Sequence, residues 1–203
     1  MPREPVPSWA DDLYGTLSAA WTLLARGAAD RRSPCHHPVI ATIGLDGRPR
    51  QRVMILRAVD VAQRTLRVHT DLRSDKISDL QHDPRVALLV YDPGAKAQIR
   101  LDGRASLHAD GAVADAAWAG SQPMSKACYG TMPAPGSDIA QAGAFTLPFS
   151  HDPAAIATGR VNFAAVQIHA ERLEWLYLAH EGHRRALFRW DADGAMAARW
   201  LVP

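Results

Sequence analysis

Residues 47–58, GRPRQRVMILRA, set Arg48, Arg50, Arg52 and Arg57 around the apolar run Val53-Met54-Ile55-Leu56. Directly before them, Asp46-Gly47 is a hairpin turn signal, and residues 39–45 (VIATIGL) are rich in β-branched side chains. The two segments read as antiparallel strands, residues 39–45 and 49–58. Successive side chains of a strand face opposite ways, so Arg50, Arg52, Met54 and Leu56 share one face while Val53, Ile55 and Arg57 share the other. Arg52 and Arg57 therefore point apart unless a bulge resets the alternation.

Outward from this hairpin the chain keeps to strands joined by turns. Residues 65–70 (TLRVHT) alternate, with Leu66 and Val68 on one face and Arg67 and His69 on the other. Ser74 is placed to cap a short helix that carries Ile77 and Leu80 and stops before Asp83-Pro84. Residues 85–91 (RVALLVY) are almost continuously apolar, the pattern of a fully buried strand. A further strand over residues 98–108 is interrupted at Asp102-Gly103, and an Ala-rich helix follows over 110–120. Near the amino terminus Ser8 and Asp11 have the form of a capping box ahead of Leu13, Leu17, Trp21 and Leu24, which predicts a helix over 8–28. Glycine and proline recur through 121–160, a long loop with short helical pieces, before strands return at 162–169, 172–178 and 186–190 with a last piece reaching Trp200.

Strands with short connections outnumber helices, so residues 1–203 read as a single domain, mainly β with α additions, an antiparallel barrel or sandwich. A doubly wound parallel sheet would need a helix after nearly every strand, and neither G-x-G-x-x-G nor G-x-x-x-x-G-K-[ST] occurs. Of 203 residues 47% are hydrophobic and 22% charged, which excludes a disordered tail or a collagen-like chain. The net charge of +2 is too small to imply a polyanionic partner, so no nucleic acid is expected. No apolar run approaches the ~20 residues of a membrane span, and MPREPVPSWADD lacks a secretory apolar stretch, so a cytoplasmic protein with no membrane partner is expected. Cys35 and Cys128 have no CxxC spacing and read as reduced, packed thiols, and the adjacent Cys35-His36-His37 lacks a spaced third ligand, so no metal is expected.

Cations do not belong on buried strands without partners. The arginines of 48–57, followed by Arg73, Ser74 and Lys76 at a helix start, combine guanidinium forks, a hydroxyl and free amides, the donors a phosphate dianion needs. The apolar run 53–56 can lie along a flat ring, so an aromatic, phosphorylated cofactor answers both features. The alternative is that these arginines are the solvated ends of an exposed hairpin.

The order of these pieces resembles the pyridoxamine 5'-phosphate oxidase family and its flavin-binding relatives: residues 47–57, His69-Thr70, Ser74 with Lys76, residues 83–89 (DPRVALL), and Gln98. The likeness runs from about 39 to 103 and weakens beyond. It implies an FMN-binding split β-barrel of antiparallel Greek-key type, a homodimer with FMN held in two clefts between subunits. It places Arg52 at the FMN phosphate, Val53, Met54, Ile55 and Leu56 along the isoalloxazine, and Arg57 where the family has a lysine touching the substrate phosphate. It places His69 and Thr70 against the flavin, Lys76 beside Ser74 as a second phosphate cation, and Gln98 as a hydrogen-bonding partner of the cofactor. Asp75 stands where the family has an arginine, with Arg73 as the nearby substitute. The family's substrate-phosphate Tyr, Arg and Ser fall on Trp118, Gln122 and Lys126. Arg184 matches a substrate arginine, while Ala186 stands where the family has a histidine. Trp175 lies near a family tryptophan beside the flavin, though core packing explains it equally well.

The resemblance implies an FMN-dependent oxidoreductase acting on a small molecule, and the departures at Gln122 and Ala186 leave open whether that molecule is pyridoxamine phosphate. The flavin carries the redox chemistry, so no side-chain acid or base is assigned. Two other classes fit the residues: a flavin- or haem-binding module without turnover, and a phosphate- or nucleic-acid-binding barrel.

Overall fold

The computed structural model describes residues 7–148 and 152–203. Its strands are β1 (Val39–Ile43), β2 (Pro49–Val53), β3 (Leu56–Asp60), β4 (Thr65–Asp71), β5 (Arg85–Asp92), β6 (Ala97–His108), β7 (Phe163–Tyr177), β8 (Arg184–Trp190) and β9 (Met196–Leu201). Its helices are α1 (Leu13–Ala29), α2 (Asp75–His82), α3 (Gly111–Ala119), α4 (Pro123–Ala127) and α5 (Pro153–Asn162). All strand pairs are antiparallel, in the order β2-β1-β5-β6-β7-β4-β3, with β8 and β9 added beyond the second half of β7.

That order contains the decisive constraint. β2 and β3 stand at opposite ends of the seven-strand path, yet only Met54 and Ile55 separate them in the chain. Laid flat, seven strands would hold the two edges roughly 29 Å apart, whereas three backbone steps reach at most about 11 Å. The sheet must therefore curl until its edges face each other, while β2 and β3 do not pair with one another. The result is a split barrel with its seam at Met54–Ile55.

Inside the curl lies the core, drawn from one face of each strand: Ile40 of β1, Leu66 and Val68 of β4, Leu88 of β5, Ile99 and Leu101 of β6, and Ile168 of β7. α1 lays Trp21 and Leu24 against it. β7 runs as one strand of 15 residues where two were expected at 162–169 and 172–178. The expected gap survives as a bulge: Gly103 pairs with Ala170 and Asp102 with Arg172, leaving Glu171 out of register.

Other expectations are corrected. The expected strand 49–58 is two strands, because the chain changes edge at Met54–Ile55. The amino-terminal helix starts later than Ser8. A 3₁₀ turn occupies Ser8–Asp11, and Asp12 is the cap, its carboxylate accepting from Gly15 N at 2.6 Å. β5 is not buried on both faces. Val86, Leu88 and Val90 point inward, but Ala87, Leu89 and Tyr91 are exposed, because none of the described residues covers the outer face of the sheet there. Cys35 is buried, and burial pushes its thiol up to about 11, whereas Cys128 is exposed rather than packed. Of the four tryptophans read as anchors, Trp21 is buried, Trp9 and Trp190 pack partly against the core, and Trp200 is 41% exposed. The 121–160 region holds α4, a 3₁₀ turn at Cys128–Gly130 and α5, and part of it lies outside the described residues. Among the described residues no helix is long and apolar enough to cross a membrane, and no group of three or more metal-ligating side chains gathers.

Gly103 is required by the β6–β7 crossing. A Cβ there would sit 2.1 Å from the His169 carbonyl oxygen, which is backbone and cannot step aside. Gly103→Ala should cost about 1–3 kcal/mol and lower the melting temperature by several degrees. An unchanged melting curve would contradict the close approach.

Candidate functional site

A cleft of about 480 Å³ opens at the seam. One wall is the end of β2 and the connecting strap, with Arg52, Val53, Met54 and Ile55. The opposite wall is Arg57 of β3 with His69, Thr70 and Asp71 of β4, and the start of α2 closes one end with Ser74 and Lys76. The break in pairing resets the alternation, so Arg52 and Arg57, which a continuous strand would point apart, both line the cleft. Met54 N donates to Pro38 O at 2.9 Å and its side chain packs on the core, which pins the strap while Val53 and Ile55 stay 62% and 37% exposed.

The α2 end is cationic. β2 pairs with β1 so that Arg52 lies opposite Ile40 and Arg50 opposite Thr42, putting both guanidiniums on the inward face. There they meet Asp79 of α2, which is fully buried. Arg50 Nη1 donates to Asp79 Oδ1 at 3.2 Å and Arg52 Nη2 lies 3.6 Å from Asp79 Oδ2. Arg52 Nη1 also donates to Thr42 Oγ1 at 2.7 Å. Lys76 Nζ donates to Ser74 Oγ at 2.9 Å, and Ser74 Oγ in turn lies 3.2 Å from Thr70 Oγ1 and donates to Asp71 O. Burial lowers the pKa values of both Lys76 and Arg52, and their mutual proximity adds to the shift of Lys76. Two half-buried cations and two hydroxyls thus meet where a dianion would relieve the strain of like charges.

Across the cleft, burial pushes His69 down to about 3, helped by the guanidiniums of Arg57 and Arg67, so its imidazole is neutral at ordinary pH. Its ring packs edge-on against Phe163 with centroids 4.9 Å apart, and its Nδ1 lies 3.5 Å from Ser121 Oγ. Two buried nitrogens bordering the cleft, His69 Nε2 and Arg57 Nε, make no hydrogen bond among the described residues.

Several expected residues stand elsewhere. Leu56 is fully buried in the core beneath the strap. Arg73 does not replace the arginine absent at Asp75: its Nε and Nη2 fork onto Asp71 at 2.9 and 2.7 Å, and Nη2 also donates to Tyr129 O. Gln98 lies on β6 opposite Tyr91, outside this chain's cleft. Arg184 Nε pairs with Asp11 at 2.9 Å, away from the cleft, and Trp175 is buried edge-on to Trp9. Trp118 packs against Phe163 and Tyr129, with Lys126 Nζ 5.5 Å from its ring centroid, and neither lines the cleft, though Tyr129 does. A second hollow of about 560 Å³ shares Ile55, Arg57 and Ser125 with the cleft and adds Gln122, Arg31 and the His36–His37 pair.

Sequence reading missed Thr42, Asp79, Tyr129 and Cys128. For Asp79 a signal existed, since it falls between Ile77 and Leu80 on the inward side of α2, where an acid needs a cationic partner.

The family model for pyridoxamine 5'-phosphate oxidase matches residues 31–147, more than half of the chain. The chain belongs to this family. Pyridoxine/pyridoxamine 5'-phosphate oxidase 2 of Arabidopsis thaliana is 37% identical over 93 residues, covering 44% of this chain and 47% of the plant protein, so the match spans less than half of that relative. A pyridoxamine 5'-phosphate oxidase-related, FMN-binding protein of Nostoc punctiforme PCC 73102 superimposes with a TM-score of 0.73 at 22% identity, covering 98% of this chain and all of the other. PhzG of Burkholderia lata 383, solved with tetrahydrophenazine-1-carboxylic acid, superimposes with a TM-score of 0.69 at 21% identity and 98% coverage of both chains. At these identities the two structures establish the shared split-barrel fold.

His69 gives a test of the cleft's electrostatics. The unfolded chain takes up a proton at this residue below about pH 6.5, whereas the folded chain does so only near 3, so folded stability contributed here falls as pH drops through that window. His69→Gln should flatten the decline in melting temperature between pH 7 and 4, and the His69 ring resonances of the native protein should not titrate between pH 5 and 8. A normal midpoint near 6.5 would show that the ring is solvated.

Proposed function

We propose that this protein is an FMN-binding oxidoreductase acting on a small molecule, with the cofactor seated at the barrel seam. The observation that carries this reading is the cleft itself: a cationic, hydroxyl-lined end joined to an apolar strap, with two buried nitrogens along the facing wall that have no hydrogen-bond partner among the described residues. The donor set fits FMN. Arg52, Lys76, Ser74 and Thr70 would hold the phosphate, and residues 53–55 would support the ring. When bound, FMN supplies two-electron redox chemistry. His69 offers a neutral hydrogen-bonding nitrogen, and Arg57 offers a cation where the cleft meets the second hollow.

That hollow is the proposed substrate entry. Gln122 stands there without the fork that binds a phosphate, and Arg57 is the cation shared by both spaces. This favours a substrate other than pyridoxamine phosphate. The carboxylated ring compound held by PhzG is an example of such chemistry on the same fold.

We further propose that two copies pair through the outer face of β1, β5 and β6. Leu89 and Tyr91 are 39% and 49% exposed there, and Gln98 and Arg100 lie beside them in register. Such a pairing accounts for Gln98 lying off its own chain's cleft, because it would serve the second copy.

The purified protein should be yellow, with about one FMN per chain. Arg52→Ala should weaken FMN binding by about 2–4 kcal/mol, roughly 30- to 700-fold in Kd. A colourless protein that takes up no added FMN would refute the reading. Leu89→Glu should halve the apparent mass in size-exclusion chromatography and weaken FMN retention, and an unchanged elution volume would count against this interface.

A further inference from the structure

We infer that Thr42 is a positioning residue for Arg52, its hydroxyl oriented by the buried carboxylate of Asp79. The inference rests on the reading of Arg52 as the phosphate-binding guanidinium. Thr42 is 2% exposed and Asp79 is fully buried, so neither meets solvent or ligand directly. Thr42 Oγ1 donates to Asp79 Oδ2 at 3.0 Å and accepts from Arg52 Nη1 at 2.7 Å. A hydroxyl has one proton. With that proton committed to the carboxylate, a lone pair of Thr42 must face the guanidinium.

The distances assign the orienting role to the hydroxyl rather than to the carboxylate. Arg52 is closer to Thr42, at 2.7 Å, than to Asp79, at 3.6 Å, whereas Arg50 bonds Asp79 Oδ1 directly at 3.2 Å. Asp79 thus serves the two arginines differently: one oxygen takes Arg50, and the other sets the direction of the hydroxyl that takes Arg52. Arg52 is held on one side in this way while its side chain still lines the cleft. A guanidinium fixed before its ligand arrives loses less rotamer freedom on binding. The arrangement also separates orientation from charge, because replacing the hydroxyl by a methyl changes no formal charge near the phosphate.

Affinities for FMN and for riboflavin, which lacks the phosphate, are to be measured by flavin fluorescence quenching. The set is the wild-type chain, Thr42→Val and Thr42→Ser, with the Thr42→Val comparison repeated in an Arg52→Ala background. Thr42→Val should weaken FMN about tenfold and leave riboflavin unchanged, Thr42→Ser should restore FMN binding, and the Thr42→Val effect should vanish once Arg52 is gone. Unchanged FMN affinity in Thr42→Val, equal loss of both flavins, or the same loss in the Arg52→Ala background would each overturn the inference while leaving the FMN reading intact. A wild-type chain with no preference for FMN over riboflavin would overturn both. If Thr42→Val fails to melt cooperatively without ligand, Thr42→Ala, which also lacks the hydroxyl but adds no bulk, is read by the same criteria.

Discussion

The shortness of the link between β2 and β3 governs this molecule. Two residues join strands that stand at opposite edges of a seven-strand path, and covalent reach alone forces the sheet to curl. The same link interrupts the alternation of side chains, so residues from both edges turn toward one space. The cleft is therefore a product of chain connectivity. Strand pairing supplies its walls, and the unpaired edges supply its opening.

Charge is distributed around this seam so that some cations are held away from the cleft and others, though they also have internal partners, face it. Arg50 is consumed by Asp79 and Arg73 by Asp71, whereas Arg52, Lys76 and Arg57 line the cleft. The family's pattern of phosphate cations is altered at Asp75, and the nearest substitute is locked into a fork with Asp71. On the FMN reading the cationic end would depend on fewer positive groups, and the orientation of each would matter more. On the facing wall a neutral His69 adds a polar nitrogen without adding a third charge beside Arg57 and Arg67.

Much of the fold could be read from the chain. The Asp46-Gly47 turn, the alternation through 65–70 and the helix after Ser74 all appear where pattern and turn chemistry placed them. The expected gap between two late strands is a bulge opposite Gly103, so the local signal was sound although its meaning was a kink and not an end. What could not be read was long-range. Val53-Met54-Ile55-Leu56 is uninterrupted apolar sequence, and nothing local says that the chain changes sheet edge inside it. RVALLVY looks the same whether its outer face meets a helix, solvent or a second chain. In the site, residue types and spacing pointed to Arg52, Arg57, Ser74 and Lys76, and the family resemblance added His69 and Thr70; the fold brings all six to one cleft. The pairing of Arg73 with Asp71 and the displacement of Arg184 to Asp11 depend on side-chain partners that spacing does not specify.

A long-range pairing in the sheet also decides when the seam comes into being. β6 and β7 pair residues 97–108 with 165–177, on either side of three helices, and such distant pairings are slow to form because the intervening loop must first be closed. Until they close, β4 has no place beside β7, and the two edges flanking Met54–Ile55 have no reason to approach. A molecule bound there would recognise only the completed architecture, so it would act as a mass-action clamp on the whole chain and tie the protein's lifetime to the supply of that molecule.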